Sequence, residues 1–384
     1  MRIVGITAEY NPFHNGHLYH LQEALRRADA AGAVAVMSGN YVQRGLPACV
    51  DKYRRTRMAL AAGADMVIEL PVGYALSSAE GFAAGAVSML HDLGVTDIAY
   101  GCESADEPAA NTHSLRNLAA FLLEEPQAYK DALRSALKSG KNFPAARQAA
   151  AASVLGEETA SLLSSPNNIL GIEYEKALLR LNSPIRAHGI TRNDSGYHAT
   201  GTEIRAAIDT DDRTKLADFL PDGSLSLLEY HLKADDLSGL LSYRLAGETR
   251  ESLAEAFPLL DPALLSRIAE RYDPFLSFDA FCDELTVKNT TRTAVSRALM
   301  HILLDLKEAP RQLPFFHVLG FRKDSPILKE LKQKSSRPLV TKTADLPAAS
   351  YAGELAADRI YSLAVYKKTG IRLPDAFHAG PVIL

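Results

Sequence analysis

The sequence predicts an α/β fold: a doubly wound parallel sheet within residues 1–220, followed by a mainly helical domain over 221–384. Three observations point there. From Arg2 onward, short β-branched runs alternate with segments of helical periodicity, the pattern of a parallel sheet with right-handed crossovers. The turn cluster Pro221-Asp222-Gly223 closes that alternation, and helical spacing dominates beyond it. Between the first strand and the first helix stands His14-Asn15-Gly16-His17, at the carboxyl end of a strand, where such sheets bind their ligands.

Residues 2–8 read as the first strand, and 18–31 as a helix with Leu18, Leu21, Ala24 and Leu25 on one face. Residues 33–38 form a buried strand of Val and Ala, 54–62 a short helix, and 65–70 a strand stopped by Pro71. Helical spacing returns at 78–93 through Phe82, Ala83, Ala86, Val87 and Leu90. Residues 97–100 make a fourth strand, with Gly101 turning the chain at its end. From 107 to about 160 the chain is alanine-rich and helical, a structural excursion packed through Leu115, Leu118, Leu122, Leu133 and Leu137. A strand follows at 186–191 and a helix at 202–208. Later helices are expected at 237–245, 262–272 and 291–306, and the last forty or so residues are mixed, ending in the apolar Pro381-Val382-Ile383-Leu384.

Composition narrows the class. The 384 residues are 47% hydrophobic and 23% charged, as in an ordinary globular protein. No apolar run reaches membrane-spanning length, and no basic stretch followed by an apolar core opens the chain. Cys49, Cys102 and Cys282 stand apart without a C-x-x-C pair, which suits a reducing compartment. The expected location is the cytoplasm, with no membrane contact. The net charge of −4 hides an asymmetry: residues 281–342 carry +6 and the remainder −10. A basic zone on an acidic protein suggests a local polyanionic partner.

The first junction carries the chemistry. A helix N-terminus presents unpaired N–H groups and partial positive charge, so it attracts phosphate. His14 and His17 add N–H donors one turn apart on the same helix face, and Gly16 removes the Cβ that would obstruct a nucleotide. Such a group of donors steadies the charge that builds on phosphate oxygens as an α-phosphate is attacked. Two histidines one turn apart also suit zinc, but zinc takes three or four protein ligands and nothing nearby completes the set. A pair of ordinary turn histidines is the plainer alternative.

The strand with His14-Asn15-Gly16-His17 resembles the nucleotidyltransferase superfamily that carries the HIGH-type motif, which includes adenylyltransferases and class I aminoacyl-tRNA synthetases. Thr200-Gly201-Thr202-Glu203-Ile204-Arg205 resembles its second phosphate motif, with Gly201 and Thr202 where serines often sit. An ordered set of segments is similar to the bacterial tRNA(Met) cytidine acetate ligases. It comprises Glu9 to His17, Ser38 to Gly45, Asp65 to Pro71, Tyr100-Gly101, Pro166 to Gly171, Lys288 through Arg297, and Leu319-Gly320-Phe321. The set spans nearly the whole chain.

That resemblance implies an enzyme that uses ATP, accompanied by Mg2+, and acetate to make acetyl-adenylate. The acetyl group then passes to N4 of the wobble cytidine of elongator tRNA(Met), giving N4-acetylcytidine; no protein partner is implied. By the same resemblance ATP falls on Thr7, Ala8, Glu9, Tyr10, Asn11, Pro12, Phe13, His14, Asn15, Gly16, His17, Leu18, Tyr19 and His20, with Gly101, Asn167 and Arg192. His14 and His17 are the catalytic pair, and Arg205 is a phosphate contact by superfamily analogy. Acetate is already ionised at neutral pH, since carboxylic acids ionise near pH ~4. Catalysis therefore rests on positioning and charge stabilisation, not on a general base. Asn167 and Arg192, read alone, are a turn-capping residue and a surface charge; Glu9 either orients the histidines or caps a turn. Residues 38–45 form a flexible loop over the acyl site. Lys288, Arg292 and Arg297 are the candidate tRNA contacts. A small-molecule adenylyltransferase of the pantetheine-phosphate or nicotinate-mononucleotide type is the alternative, sharing the first motif, and a non-catalytic RNA adaptor is a third reading.

Overall fold

Alternation along the first strands sets the layers of the molecule. The computed structural model describes residues 1–103, 108–191, 199–272, 275, 277–345 and 348–384. Its strands are β1 (Ile3–Ala8), β2 (Gly32–Ser38), β3 (Tyr41–Val42), β4 (Leu46–Pro47), β5 (Met66–Leu70), β6 (Asp97–Cys102), β7 (Arg186–Thr191), β8 (Phe316–Phe321), β9 (Leu339–Val340) and β10 (Val382–Ile383). Val4, Ile6 and Ala8 share one face of the sheet with Ala33, Ala35 and Met37, while Ile3, Val34 and Val36 occupy the other. Both faces are buried, as a parallel sheet requires. The helices Asn15–Ala28 and Lys52–Ala61 cover the first face, and Ala79–Leu93 and Pro166–Arg180 cover the second.

Five strands run parallel in the order β5-β2-β1-β6-β7. The chain winds outward from β1 through β2 to β5, then returns to the other side of β1 for β6 and β7. The reversal leaves a crevice beyond the carboxyl ends of β1 and β6, the expected ligand position in a doubly wound sheet. The excursion holds the helices Pro108–Glu124, Gln127–Lys138, Phe143–Leu155 and the short Glu157–Ser161. The motif itself supplies the first helical turn: the helix begins at Asn15, ahead of its apolar periodicity, because His14 caps it.

One expectation is corrected: the sheet is not confined to residues 1–220. β8 pairs antiparallel with β5, and β9 and β10 pair parallel with β8. Without β8, β5 would present a row of unpaired backbone groups. The helices beyond residue 221 also pack onto the first face, so that Ile6, Met58, Leu241, Phe281, Leu299 and Tyr361 belong to one continuous core. The two halves share a sheet and a core.

A buried polar cluster locks that union. Lys52 Nζ donates to Glu69 Oε1 at 2.7 Å and to Asp358 Oδ2 at 2.6 Å. His317 Nδ1 and the Tyr351 hydroxyl each approach Glu69 Oε2 at 2.5 Å. Burial opposes charge on Lys52, yet Asp358 and Glu69 together hold its pKa above the ordinary value. Burial likewise opposes the Glu69 carboxylate, and Lys52 and His317 more than offset it. The cluster gathers the helix Lys52–Ala61, β5, β8 and the C-terminal helix Ala352–Thr369. That last helix escapes a periodicity reading because Glu354 and Asp358 face inward among apolar neighbours.

Candidate active site

The first turn of the helix Asn15–Ala28 is built by the histidines themselves. Gly16 N–H donates to His14 Nδ1 at 3.1 Å, and His14 N–H donates to His17 Nδ1 at 3.3 Å. Because each Nδ1 accepts a backbone proton, each ring carries its own proton on Nε2, as a donor. The rings stack with centroids 3.7 Å apart, and Tyr10 and Phe13 support His17 from 5.0 and 5.6 Å. A Cβ on Gly16 would meet the His14 ring at 3.0 Å, so glycine keeps the cap in place. The residue pattern that suggests phosphate binding therefore also shapes the turn that carries it.

The histidines open onto a cavity of about 760 Å³ at the crevice between β1 and β6. First-turn residues of four helices line it: Gly16, Ala79, Asn167 and Gly201, from Asn15–Ala28, Ala79–Leu93, Pro166–Arg180 and Gly201–Asp209. Ser78, Ser165 and Thr200 cap the latter three. Four helix N-termini directed at one space make it strongly attractive to anions. Arg44 and Arg205 add full positive charge to the lining.

Most predicted residues come together here. Thr7, Ala8, Glu9, Tyr10 and Asn11 line the cavity, as do His14, Gly16, His17, Tyr19 and His20. Gly101 and Asn167 lie opposite, and Arg205 closes the side. Pro12, Phe13, Asn15 and Leu18 do not line it: Pro12 follows a cis peptide bond, Phe13 is buried beneath Tyr10 and His17, Asn15 bonds Asp218 O at 2.9 Å, and Leu18 packs on the core. These four shape the turn and its packing. Arg192 lies outside the described residues.

Several details lie beyond the sequence reading. Asn167 Nδ2 donates to Glu103 Oε1 at 2.9 Å, while its neighbour Asn168 is buried and clasps the Glu103 backbone through N–H to Oδ1 at 2.8 Å. Pro166-Asn167 thus begins a helix, not a simple turn. Arg205 Nη1 donates to Asn11 O at 3.0 Å and so holds the turn before the motif. Burial lowers the pKa of Arg205. Burial pushes the His20 imidazole down to about 4, and its Nε2 is buried without a partner. The 38–45 loop is anchored: Asn40 bonds Asp358 Oδ1 at 2.8 Å, and Ser296 Oγ donates to Gly45 O at 2.7 Å. The expected flexible loop is in fact tied to the far half of the chain by partners distant in sequence.

The tRNA candidates lie elsewhere and differ from one another. Arg292 is ion-paired with Asp279 and with Asp283, the latter at 2.6 Å. Arg297 donates to Gln43 O at 3.3 Å, supporting the loop over the cavity, and burial lowers its pKa. Lys288 is exposed and lines a second cleft, of about 410 Å³, with Lys141, Asn142 and the turn of the helical excursion. Among the described residues no group of three or more His, Cys, Asp or Glu side chains is placed to hold a metal, and no helix is long and apolar enough to cross a membrane.

Comparison with known proteins agrees with this geometry. The HIGH Nucleotidyl Transferase family matches residues 1–372. The tRNA(Met) cytidine acetate ligase of Caldanaerobacter subterraneus subsp. tengcongensis is 38% identical, with all of both chains covered. The protein of the same name from Bacillus subtilis is 34% identical over 99% of this chain and 97% of its own. The crystal structure of Thermotoga maritima TmcAL bound with alpha-thio ATP superposes over the full length of both chains, with a TM-score of 0.90 and 30% identity. The chain belongs to the HIGH nucleotidyltransferase family and, within it, to the family of the tRNA(Met) cytidine acetate ligases.

Proposed function

We propose that this protein is the ligase that joins acetate to ATP as acetyl-adenylate and transfers the acetyl group to N4 of the wobble cytidine of elongator tRNA(Met). The observation that carries the reading is the convergence of the first turns of four helices, with the His14 and His17 pair in one of them, on one cavity. The triphosphate lies along the first turn of Asn15–Ala28, with His14 and His17 donating to its oxygens and Arg205 beside them. The nucleoside faces Gly101, where the absence of a side chain leaves room, and Asn167, with Arg192 contributing from its own segment. Acetate enters on the loop side, near Gln43 and Arg44, and its carboxylate attacks the α-phosphate in line with the departing pyrophosphate. Mg2+ would arrive as MgATP, bound largely through phosphate oxygens and water. The reaction belongs in the cytoplasm, where ATP and tRNA are available.

For the RNA, Lys288 and Lys141 form no ion pair among the described residues and offer their charge around one cleft, whereas Arg292 is already paired. Arg297 serves the reaction by supporting the loop. The small-molecule adenylyltransferase reading is not favoured, because the relatives matched over the full chain carry the tRNA ligase name. The deciding experiment measures ATP–pyrophosphate exchange with acetate, with phosphorylated small molecules and with neither, followed by mass analysis of tRNA(Met). Exchange that requires acetate, together with acetylated cytidine, is expected. Exchange driven only by a phosphorylated small molecule would overturn the proposal.

A further inference from the structure

Acetyl transfer poses a problem that activation does not. The cytosine amine begins as NH2 and ends as the NH of an amide, so one proton must leave N4. Of the groups lining the cavity, few can receive it. His14 and His17 use Nδ1 as acceptors of backbone N–H and present only donors to the ligand. Arg44 and Arg205 are donors only. Glu103, bonded to Asn167, and His20, against Tyr100, both stand on the nucleoside side of the cavity, away from the loop where acetate enters.

Among the described lining residues Glu9 is left as the acceptor, and its position is tightly set. It directly follows β1 at the crevice and lines the cavity on the loop side. Arg55 donates to its backbone carbonyl at 2.7 Å while also bonding Ser38 O at 3.0 Å, which pins Glu9 to the end of β2. Gln43 N–H donates to Oε1 at 2.7 Å. Gln43 belongs to the loop that Asn40, Ser296 and Arg297 tie down, so the carboxyl is oriented by both halves of the molecule. The charged and titratable groups that face it are Arg44, Arg55 and Arg205, with the Tyr174 hydroxyl.

We propose that Glu9 Oε2, the oxygen that Gln43 does not occupy, receives the N4 proton during acetyl transfer. The N4 lone pair forms the bond to the acetyl carbonyl carbon, the bond from that carbon to the AMP phosphate oxygen breaks, and AMP leaves with the electron pair. The proton lost from N4 passes to the Glu9 carboxylate, which releases it to solvent after the products depart. Burial raises the Glu9 pKa, which makes its carboxylate a better proton acceptor than a surface glutamate. Activation of acetate moves no proton, so Glu9 weighs on the second half-reaction far more than on the first.

This inference rests on the ligase reading, and its test separates the two. Full-length wild type and Glu9→Gln are loaded with acetyl-adenylate, prepared chemically so that activation is bypassed, and mixed with tRNA(Met) under single-turnover conditions. Acetate-dependent pyrophosphate exchange is measured in parallel. Glu9→Gln is expected to lose ~10²–10⁴-fold in transfer and far less in exchange, as removal of a general base predicts. Wild-type transfer should rise with pH through one ionisation, Glu9→Gln should be flat, and Glu9→Asp should recover part of both rate and slope. An unchanged ratio of transfer to exchange, or a pH rise that survives in Glu9→Gln, overturns the role of Glu9. Absence of acetate-dependent exchange in the wild type overturns the ligase reading instead.

Discussion

His14 caps its helix through Nδ1 and also lines the cavity, and substitution can separate the cap from the proposed contact with phosphate. Asparagine also caps helices well but cannot reach with a second donor. His14→Asn is therefore expected to keep the wild-type Tm and to lose ~10²–10³-fold in acetate-dependent exchange, the cost of removing one preorganised donor. His14→Ala should lose the same activity and about 1 kcal/mol of stability as well. Equal activity in both variants and the wild type would remove the histidine from catalysis. His20 makes a different prediction. Its pKa in the fold, about 4, lies below its ordinary 6.5. The unfolded chain therefore takes up a proton between those values that the folded chain refuses. The stability His20 contributes is complete above pH 6.5 and is lost as pH falls toward 4, roughly 3 kcal/mol in all. His20→Gln should flatten that part of the acid limb in a Tm-against-pH series; an unaltered limb would contradict the assignment.

Secondary elements show what the sequence could disclose. The five parallel strands were legible because their β-branched runs recur between helical stretches, and the crevice followed from their order. The His14 and His17 pair was legible because it sits at the first such junction. The C-terminal helix Ala352–Thr369 was not, since it buries Glu354 and Asp358 together with apolar residues and so shows no clean stripe. Nor was the anchoring of the 38–45 loop, whose partners Ser296 and Asp358 lie hundreds of residues away along the chain. Pairings of that kind leave no local pattern. The buried polar cluster to which Asp358 belongs is open to test. Lys52→Met strands Glu69 and Asp358 without a buried cation and is expected to cost about 3–5 kcal/mol by denaturant titration. Glu354 behaves in the opposite sense. Burial and then Glu69 raise its pKa from 4.5 to about 8. Its share of stability is complete below 4.5 and is lost as pH rises through 8. Glu354→Gln keeps an acceptor for Val72 N–H, so it should gain on the wild type across that interval and hold the gain above it. A variant that tracks the wild type at every pH would rule out this titration.

At the scale of the whole molecule, both halves share one sheet and one core, so the charges proposed to meet the RNA belong to the same body as the cavity. The protein is acidic overall, at −4, so binding a polyanion depends on where its positive charge is unneutralised. Ion pairs withdraw much of it: besides Arg292, Lys334 is bonded to Glu330 at 2.9 Å and Arg337 is paired with Asp92 at 2.5 Å. Lys288 and Lys141, by contrast, flank a cleft whose remaining lining is neutral. The exposed Phe143, between the lining residues Asn142 and Ala145, offers a face on which an unpaired base can stack. Each lysine that neutralises a phosphate releases counterions, and its loss should make the dependence of log K on log salt shallower by roughly one unit. Lys288→Gln and Lys141→Gln are each expected to do so in tRNA(Met) titrations over a range of salt. Arg292→Gln should leave the slope unchanged, because Asp279 and Asp283 already cancel that charge. All three should retain acetate-dependent exchange, since the cleft and the cavity are separate spaces with no lining residue in common. A slope that responds to Arg292 and not to the lysines would move the RNA to another face of the protein.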